Sequence, residues 1–383
     1  MDDPRLRPQS RAILAGRSPS RLTNVINPPV QRGSTVVLDR LDQFWDPGGR
    51  TYGRAGLAAQ EALSEALLSV CGGAGAILAP SGLAACTLAI LSFAKAGGHI
   101  LAPESAYGPT RSFCGGVLQR FGVHTTFYNP RIGADIASLI RPETTAIYLE
   151  SPGSLTFEVQ DAPAIAAAAR ARGIVTMIDD TWSAGVHFKP FEHGVDVSIQ
   201  ALTKHQGGHA DLLLGAVIAN RPEHAAQIEA TARQLGMAVG PEDSYLALRG
   251  MRTLHLRLNA QGESGLRVAD WLSQRSEVSE VLHPALPRHP DHALWLRDFS
   301  GACGVFGALL QPCSTPALAA MVEGYRLFRM GYSWGGFESL VSCAPRKGRF
   351  AERPLIRFSV GLEAVEDLLL DLEEGFARLQ EAA

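Results

Sequence analysis

An α/β fold is what this sequence predicts: a mostly parallel sheet flanked by helices, followed by a smaller C-terminal α+β domain. Three observations predict it. From about residue 57 to residue 220, short apolar runs alternate with stretches of helical period. The apolar runs are continuous, as strands covered on both faces are, and do not alternate with polar residues as half-exposed strands do. Beyond about residue 250 this rhythm gives way to shorter strand-like runs between longer helical stretches, and 383 residues is more than one hydrophobic core usually organises.

The elements follow in order. Residues 1–50 are rich in Pro, Arg and Gly and hold no sustained period, which predicts an extended arm. Helices are predicted over Leu57–Val70 and Leu83–Ala94, near 109–120, 132–140 and 162–172, and as one long stretch over roughly 222–247. Strands are predicted at Ala76–Ala79, His99–Ala102, Thr125–Tyr128, Thr145–Leu149, Val175–Ile178, Val195–Gln200 and Leu212–Ala219. The last part reads as a helix over 262–275, strands at Val278–Leu282, Val305–Leu310, Leu327–Met330 and Leu355–Val360, and a closing amphipathic helix from Glu363 to about Leu379. Divided this way, the chain has an arm (1–56), a large domain (57–249) and a smaller domain (250–383).

Composition narrows the class. Apolar residues make up 46% and charged residues 19%, enough to build a core, and the net charge of −3 gives no electrostatic reason to expect nucleic acid or an anionic membrane as partner. No apolar run approaches a membrane span of roughly 20 residues. The first residues lack the apolar segment of a secretory signal; Arg and Ser over 5–21 faintly resemble a transit peptide, against which Asp2 and Asp3 count. Cysteines 71, 86, 114, 303, 313 and 343 form no Cys-x-x-Cys pair, and a reducing cytoplasm is their simplest setting. His205 and His209 are separated by Gly207 and Gly208, so they read as loop residues, and no metal is expected.

Chemistry is carried by strand ends. Asp179 and Asp180 close the apolar run Val175–Ile178, and Lys204 follows the next strand. In an open α/β sheet, ligands sit beyond the carboxyl ends of the strands. An acid at one such end and a lysine after the next are the parts of a pyridoxal phosphate (PLP) site: the lysine forms a Schiff base with the aldehyde, and the acid keeps the pyridine nitrogen protonated. Ser81-Gly82-Leu83 opens a helix after the first strand, where free N–H groups suit a phosphate. Tyr107 follows the second strand, placed to stack on a planar ring, and Thr203 offers a hydroxyl beside the lysine. Taken singly, each of these has an ordinary structural reading: a cap, a packed tyrosine, a loop hydroxyl.

Beyond these residues, longer stretches resemble the Cys/Met-metabolism family of PLP enzymes, with the type I, aspartate-aminotransferase-like fold. The similarity runs from about Leu22 to the C-terminus. It is carried by Asn27–Thr35, Thr51–Arg54, Gly72–Gly75, Leu149–Ser154, Ile178–Trp182, Thr203–Lys204, Gly208–Asp211, Val281–Pro287, Tyr332–Leu340 and Ile356–Glu363. The resemblance implies roles by position. Lys204 binds the cofactor and moves protons; Asp179 pairs with the ring nitrogen; Tyr107 stacks on the ring; Gly82, Leu83 and Thr203 hold the phosphate. Tyr52 and Arg54 reach the site of a neighbouring subunit, Tyr52 with a share in catalysis and substrate contact, and the arm contacts that subunit. Arg357 clamps the substrate carboxylate, with Ser333 and Trp334 beside it.

The implied activity is that of a trans-sulfuration enzyme of methionine biosynthesis. This is β-elimination on L-cystathionine, giving homocysteine, pyruvate and ammonia, in a cytoplasmic homodimer or homotetramer. The alternatives are a β-lyase for cysteine or other S-conjugates, a γ-lyase or γ-synthase, and a PLP-binding regulatory protein without turnover. Trp334 stands against the γ-acting members, which carry a smaller aliphatic residue there. The chain departs from the family pattern in three places: Asp180 where Asn is frequent, Ala201 where many relatives have Ser, and no tyrosine near Ala232 and Arg233.

Overall fold

The computed structural model describes residues 6–17, 25–46 and 51–382. It builds two sheets. The larger has seven strands, β1 (Gly75–Ala79), β2 (His99–Pro103), β3 (His124–Tyr128), β4 (Thr144–Glu150), β5 (Val175–Asp179), β6 (Val197–Gln200) and β7 (Gly215–Ala219), in the order β1-β7-β6-β5-β4-β2-β3. Strand β7 runs antiparallel to both of its neighbours, and the other strands run parallel to one another. The predicted strands are all present. Their side chains are buried on both faces where the sequence runs are continuously apolar, as in β2 and β7.

Helices cover this sheet. After α1 (Pro8–Leu14) and α2 (Ala58–Cys71), α3 (Gly82–Phe93) starts where the Ser81 hydroxyl caps the Ala84 amide at 3.1 Å. Gly82 is needed at that start. A Cβ there would lie 2.6 Å from the Ala201 Cβ, so glycine lets the helix N-terminus approach the loop before Lys204. Helix α4 (Gly108–Phe113) follows β2 and continues as a π-helical turn over Cys114–Leu118. Helix α5 (Ala162–Arg170) is capped by Asp161, whose carboxylate accepts the Ala164 amide at 3.2 Å.

Three expectations need correction here. The arm is not wholly extended: α1 forms within it, with Pro8 at its first position, where the missing N–H costs nothing. The parts of the predicted arm at residues 1–5, 18–24 and 47–50 lie outside the described residues. The single helix over 222–247 is two helices, α6 (Pro222–Gln234) and α7 (Pro241–Met251). Gly236 adopts a left-handed backbone (φ +68°), and Pro241 starts the second helix. The stretch expected near 132–140 is a 3₁₀ turn over Gly133–Ser138.

Helix α8 (Leu254–Leu272) begins eight residues before its predicted start and leads to the second sheet. That sheet has the order β10-β11-β12-β9-β8, from β8 (Val278–Leu282), β9 (Val305–Leu310), β10 (Arg329–Met330), β11 (Leu340–Cys343) and β12 (Leu355–Ser359). Between these strands lie α9 (His292–Asp298) and α10 (Thr315–Glu323), and α11 (Val365–Glu381) closes the chain. Strand β11 was not expected, and β10 is shorter than the run 327–330. A buried aromatic group, Phe306, Phe328, Phe358 and Phe376, packs this sheet against α8, α10 and α11. The two sheets are joined near the site: Trp182, just beyond β5, donates its indole N–H to the Val305 carbonyl of β9 at 2.9 Å. All six cysteines are free thiols, four of them buried. Among the described residues, no helix is long and apolar enough to cross a membrane.

Candidate active site

A cavity of about 280 Å³ opens at the carboxyl ends of β1, β2, β4, β5 and β6, with β12 and the loop before β11 closing one side. Its lining contains Gly82, Leu83, Tyr107, Asp179, Thr203, Lys204, Ser333, Trp334 and Arg357. Nine positions singled out in the sequence therefore meet around one space. Tyr52 and Arg54 do not. They lie at the end of the arm, Tyr52 capping the 3₁₀ turn Gly53–Ala55 and Arg54 within it; the Arg54 guanidinium is 5.5 Å from the Tyr52 ring centroid, and Arg54 faces a separate hollow alongside Gln60, Glu229 and Arg233. Within one chain neither reaches Lys204.

Lys204 sits in the turn after β6. Its Nζ donates to Ser333 Oγ at 2.7 Å and lies 5.4 Å from the Trp334 ring centroid. Burial, and then the Arg357 charge, lower the amine to about 8, against the pull of Asp179. The lowered value keeps a useful fraction of neutral, nucleophilic amine near neutral pH. Ser333 reaches the lysine from a left-handed backbone (φ 90°), an unusual conformation for a side chain other than glycine, and its carbonyl accepts Arg357 Nη2 at 3.0 Å. Arg357 is carried by β12, between Gly307 of β9 and Ser342 of β11. Burial lowers its own pKa, and Tyr107 and Tyr332 oppose that.

Asp179 ends β5. Thr181 satisfies its Oδ1 twice, through the hydroxyl at 2.5 Å and the amide at 3.1 Å. Its Oδ2 has a weaker neighbour, the Cys86 thiol at 3.6 Å. Burial raises this carboxyl, while the Thr181 bonds, the thiol and Lys204 act in the other direction. Glu150 ends β4 directly beside Asp179 in the parallel register and accepts the Tyr107 amide at 2.7 Å. It is buried, and burial and the Asp179 charge push its pKa well up. Glu150, Thr181 and Cys86 line the cavity and were not singled out in the sequence. Glu150 carries the same signal that marks Asp179, an acid closing an apolar strand; Cys86 gives no signal at all.

Two details qualify the phosphate end. Thr203 lines the cavity, but its hydroxyl is occupied: it donates to the Leu214 carbonyl at 3.2 Å and accepts the Leu214 amide at 3.0 Å. Ala201 also lines the cavity and offers no hydroxyl. The groups on this chain that could hold an anion there are therefore chiefly the amides that open α3, at Gly82 and Leu83.

PLP fits these residues. The space ends on one side at an acid whose Oδ2 forms no salt bridge among the described residues. A protonated ring nitrogen is the partner such a carboxylate lacks. A helix start for the phosphate and a lysine for the aldehyde complete the set. Among the described residues no group of His, Cys, Asp and Glu is arranged to hold a metal ion.

Fold and site together define a PLP-dependent enzyme of the type I class. More narrowly, the chain belongs to the family described as Cys/Met metabolism PLP-dependent enzymes, whose model matches residues 9–377. It is 42% identical over 385 residues to the cystathionine beta-lyase of Haemophilus influenzae, covering 96% of this chain and 97% of that one. It is 40% identical over 388 residues to cystathionine beta-lyase MetC of Escherichia coli, covering 97% and 98%. The crystal structure of cystathionine gamma synthase from Xanthomonas oryzae pv. oryzae in complex with cystathionine superposes with a TM-score of 0.92. It is 27% identical and covers 99% of this chain and all of that one.

Proposed function

We propose that this enzyme cleaves L-cystathionine by β-elimination, releasing homocysteine, pyruvate and ammonia. The observation that carries the reading is the joint placement of three groups around one cavity. These are an amine tuned to about 8 (Lys204), an acid at the carboxyl end of the neighbouring parallel strand (Asp179), and an arginine beside the amine (Arg357). PLP, when bound, supplies an electron sink for the pair left on the substrate Cα.

The chain's own residues do the rest. Arg357 binds the substrate α-carboxylate through its planar fork, and the Ser333 carbonyl holds that fork in place. Lys204 takes the Cα proton and returns a proton to the sulfur as the Cβ–S bond breaks, so the sulfur leaves as a neutral thiol. Water then converts the three-carbon fragment to pyruvate and ammonia. Asp179 keeps the ring nitrogen protonated, with Thr181 fixing the carboxylate orientation. Tyr107 covers one ring face, positioned by the Glu150 carboxyl on its backbone amide. The α3 amides of Gly82 and Leu83 hold the phosphate. Trp334 fills the side of the cavity next to Lys204 and leaves little room for the substrate shift that γ-elimination needs.

Tyr52 and Arg54, which do not reach Lys204 within their own chain, complete the cavity of a second copy. The working unit is then at least a homodimer, with a homotetramer as the natural pairing of dimers. We place it in the cytoplasm, in keeping with six free thiols. Product analysis tests the reaction: purified protein given L-cystathionine should yield pyruvate and homocysteine in equal amounts. Mainly 2-oxobutyrate and cysteine would overturn it in favour of γ-elimination.

A further inference from the structure

On the other face of the large sheet lies an acid that the chemistry above does not use. Asp180 is fully buried and does not line the cavity, as expected when successive side chains leave a strand on opposite faces. Its Oδ1 accepts the Ser198 hydroxyl at 2.6 Å, and its Oδ2 accepts the Ser183 hydroxyl at 3.3 Å. Ser198 Oγ in turn accepts the Gln200 amide at 3.3 Å, and Gln200 Oε1 accepts Gln206 Nε2 at 3.0 Å. A buried chain of donors therefore runs from two residues past Lys204 to the residue after Asp179, and each donor points toward Asp180. Neutral packing does not require a carboxyl here, and burying one is costly without such bonds.

The groups facing Asp180 come from every element around it. Asp179 precedes it on β5, Ser183 lies in its own turn, Ser198 and Gln200 belong to β6, and Gln206 belongs to the Lys204 loop. Cys71, at the end of α2, and Lys189 also feel its charge. Burial, and then Asp180, push the Cys71 thiol up to about 12, so it stays neutral. The Lys189 ammonium is held by the carbonyls of Val70 at 2.8 Å and Gly185 at 2.6 Å.

We propose that Asp180 is a positioning acid for the cofactor ring. With Ser198, Gln200 and Gln206 it fixes the strand end that aims Asp179, and its own negative charge strengthens the hold of Asp179 on a protonated ring. The inference rests on the reading of Asp179 as the ring-nitrogen partner. Burial and the Asp179 charge raise Asp180 to about 7, against its hydrogen bonds, so its charge changes near neutral pH.

The test is a pH titration of the absorption band of the PLP-loaded enzyme without substrate, in wild type, Asp180→Asn and Ser198→Ala. Removing the negative neighbour disfavours the protonated chromophore, so Asp180→Asn should titrate about one pH unit lower. Ser198→Ala deletes the shortest bond to the ionised carboxyl, keeps Asp180 neutral to higher pH, and should shift the titration the same way by less. A role in packing alone predicts easier loss of PLP with no change in titration pH, and that result would overturn the proposal. If Asp180→Asn does not fold, Ser198→Ala decides: a curve coincident with wild type overturns it, and a downward shift supports it. No substrate enters the measurement, so a failure to cleave L-cystathionine would count against the proposed reaction and leave this result standing.

Discussion

Replacing Arg357 with Ala should damage the enzyme in two separable ways. The side chain lines the cavity from β12, and its Nη2 is fixed 3.0 Å from the Ser333 carbonyl, which orients the rest of the guanidinium toward an incoming carboxylate. Loss of one partner from a desolvated, hydrogen-bonded charge pair costs about 2–5 kcal/mol. At 1.4 kcal/mol per tenfold, kcat/KM for L-cystathionine should fall by roughly 30-fold to several thousand-fold. The second effect is on the lysine. After burial, the Arg357 charge is the largest cause holding the Lys204 amine down at about 8, so its removal should move that amine up toward its ordinary 10.5. Capture of PLP by the cofactor-free protein needs the neutral amine and should then slow at neutral pH. Steady-state thiol release gives the first quantity, and the pH dependence of PLP uptake gives the second. Arg357→Lys should recover the charge effect on Lys204 but only part of the substrate affinity, because the planar fork is lost. If kcat/KM for the Ala variant stays within about threefold of wild type, the carboxylate clamp lies elsewhere.

Other outcomes follow from the same geometry. Trp334→Leu should change the ratio of pyruvate to 2-oxobutyrate, or the range of thioethers accepted, more than it changes PLP binding; unchanged products across substrates would remove Trp334 from reaction choice. If Arg54 serves a second copy, mixing inactive Arg54→Ala with inactive Lys204→Ala should restore part of the activity, since a mixed dimer has one site free of both lesions. No recovery after proven subunit exchange would mean that Arg54 acts within its own chain. For Asp180, the folded protein favours the neutral acid up to about pH 7, whereas the unfolded chain ionises near 4. Stability of the cofactor-free protein should therefore fall as pH rises from about 4 to about 7, by up to about 4 kcal/mol, and level off above that. Urea unfolding of Asp180→Asn should lack this slope, and parallel curves for the two proteins would contradict the assignment.

Much of this was legible in the chain because each signal was local. Largely apolar runs marked β1 to β7, and the serine before α3 marked where that helix starts. Lys204 and Asp179 were legible because the carboxyl ends of parallel strands converge, so two residues far apart in sequence meet across one space. The errors arose where a local signal was overruled or misweighted. Gly236, Gly240 and Pro241 break the helical period of 222–247, yet the apolar spacing on either side reads as continuous. Strand β11 is short and half polar, and it is recognised only once β12 lies beside it. Burial was the least readable property. Nothing adjacent to Asp180 reveals that Ser198, Gln200 and Gln206 converge beneath the site, because that contact is made by the pairing of β5 with β6. Arg357 is similar: its strand pattern says that alternate residues face one way, but only the packed sheet says which way.

The central claim is that Lys204 holds PLP in the cavity between Asp179 and Arg357. Borohydride reduction of the loaded enzyme, followed by digestion and peptide mass analysis, tests it directly. The added cofactor mass should map to Lys204, and Lys204→Ala should show neither that mass nor the yellow colour expected of the loaded wild type. Recovery of the mass on Lys189, whose ammonium is bound to the Val70 and Gly185 carbonyls, or on Lys347, would contradict the account.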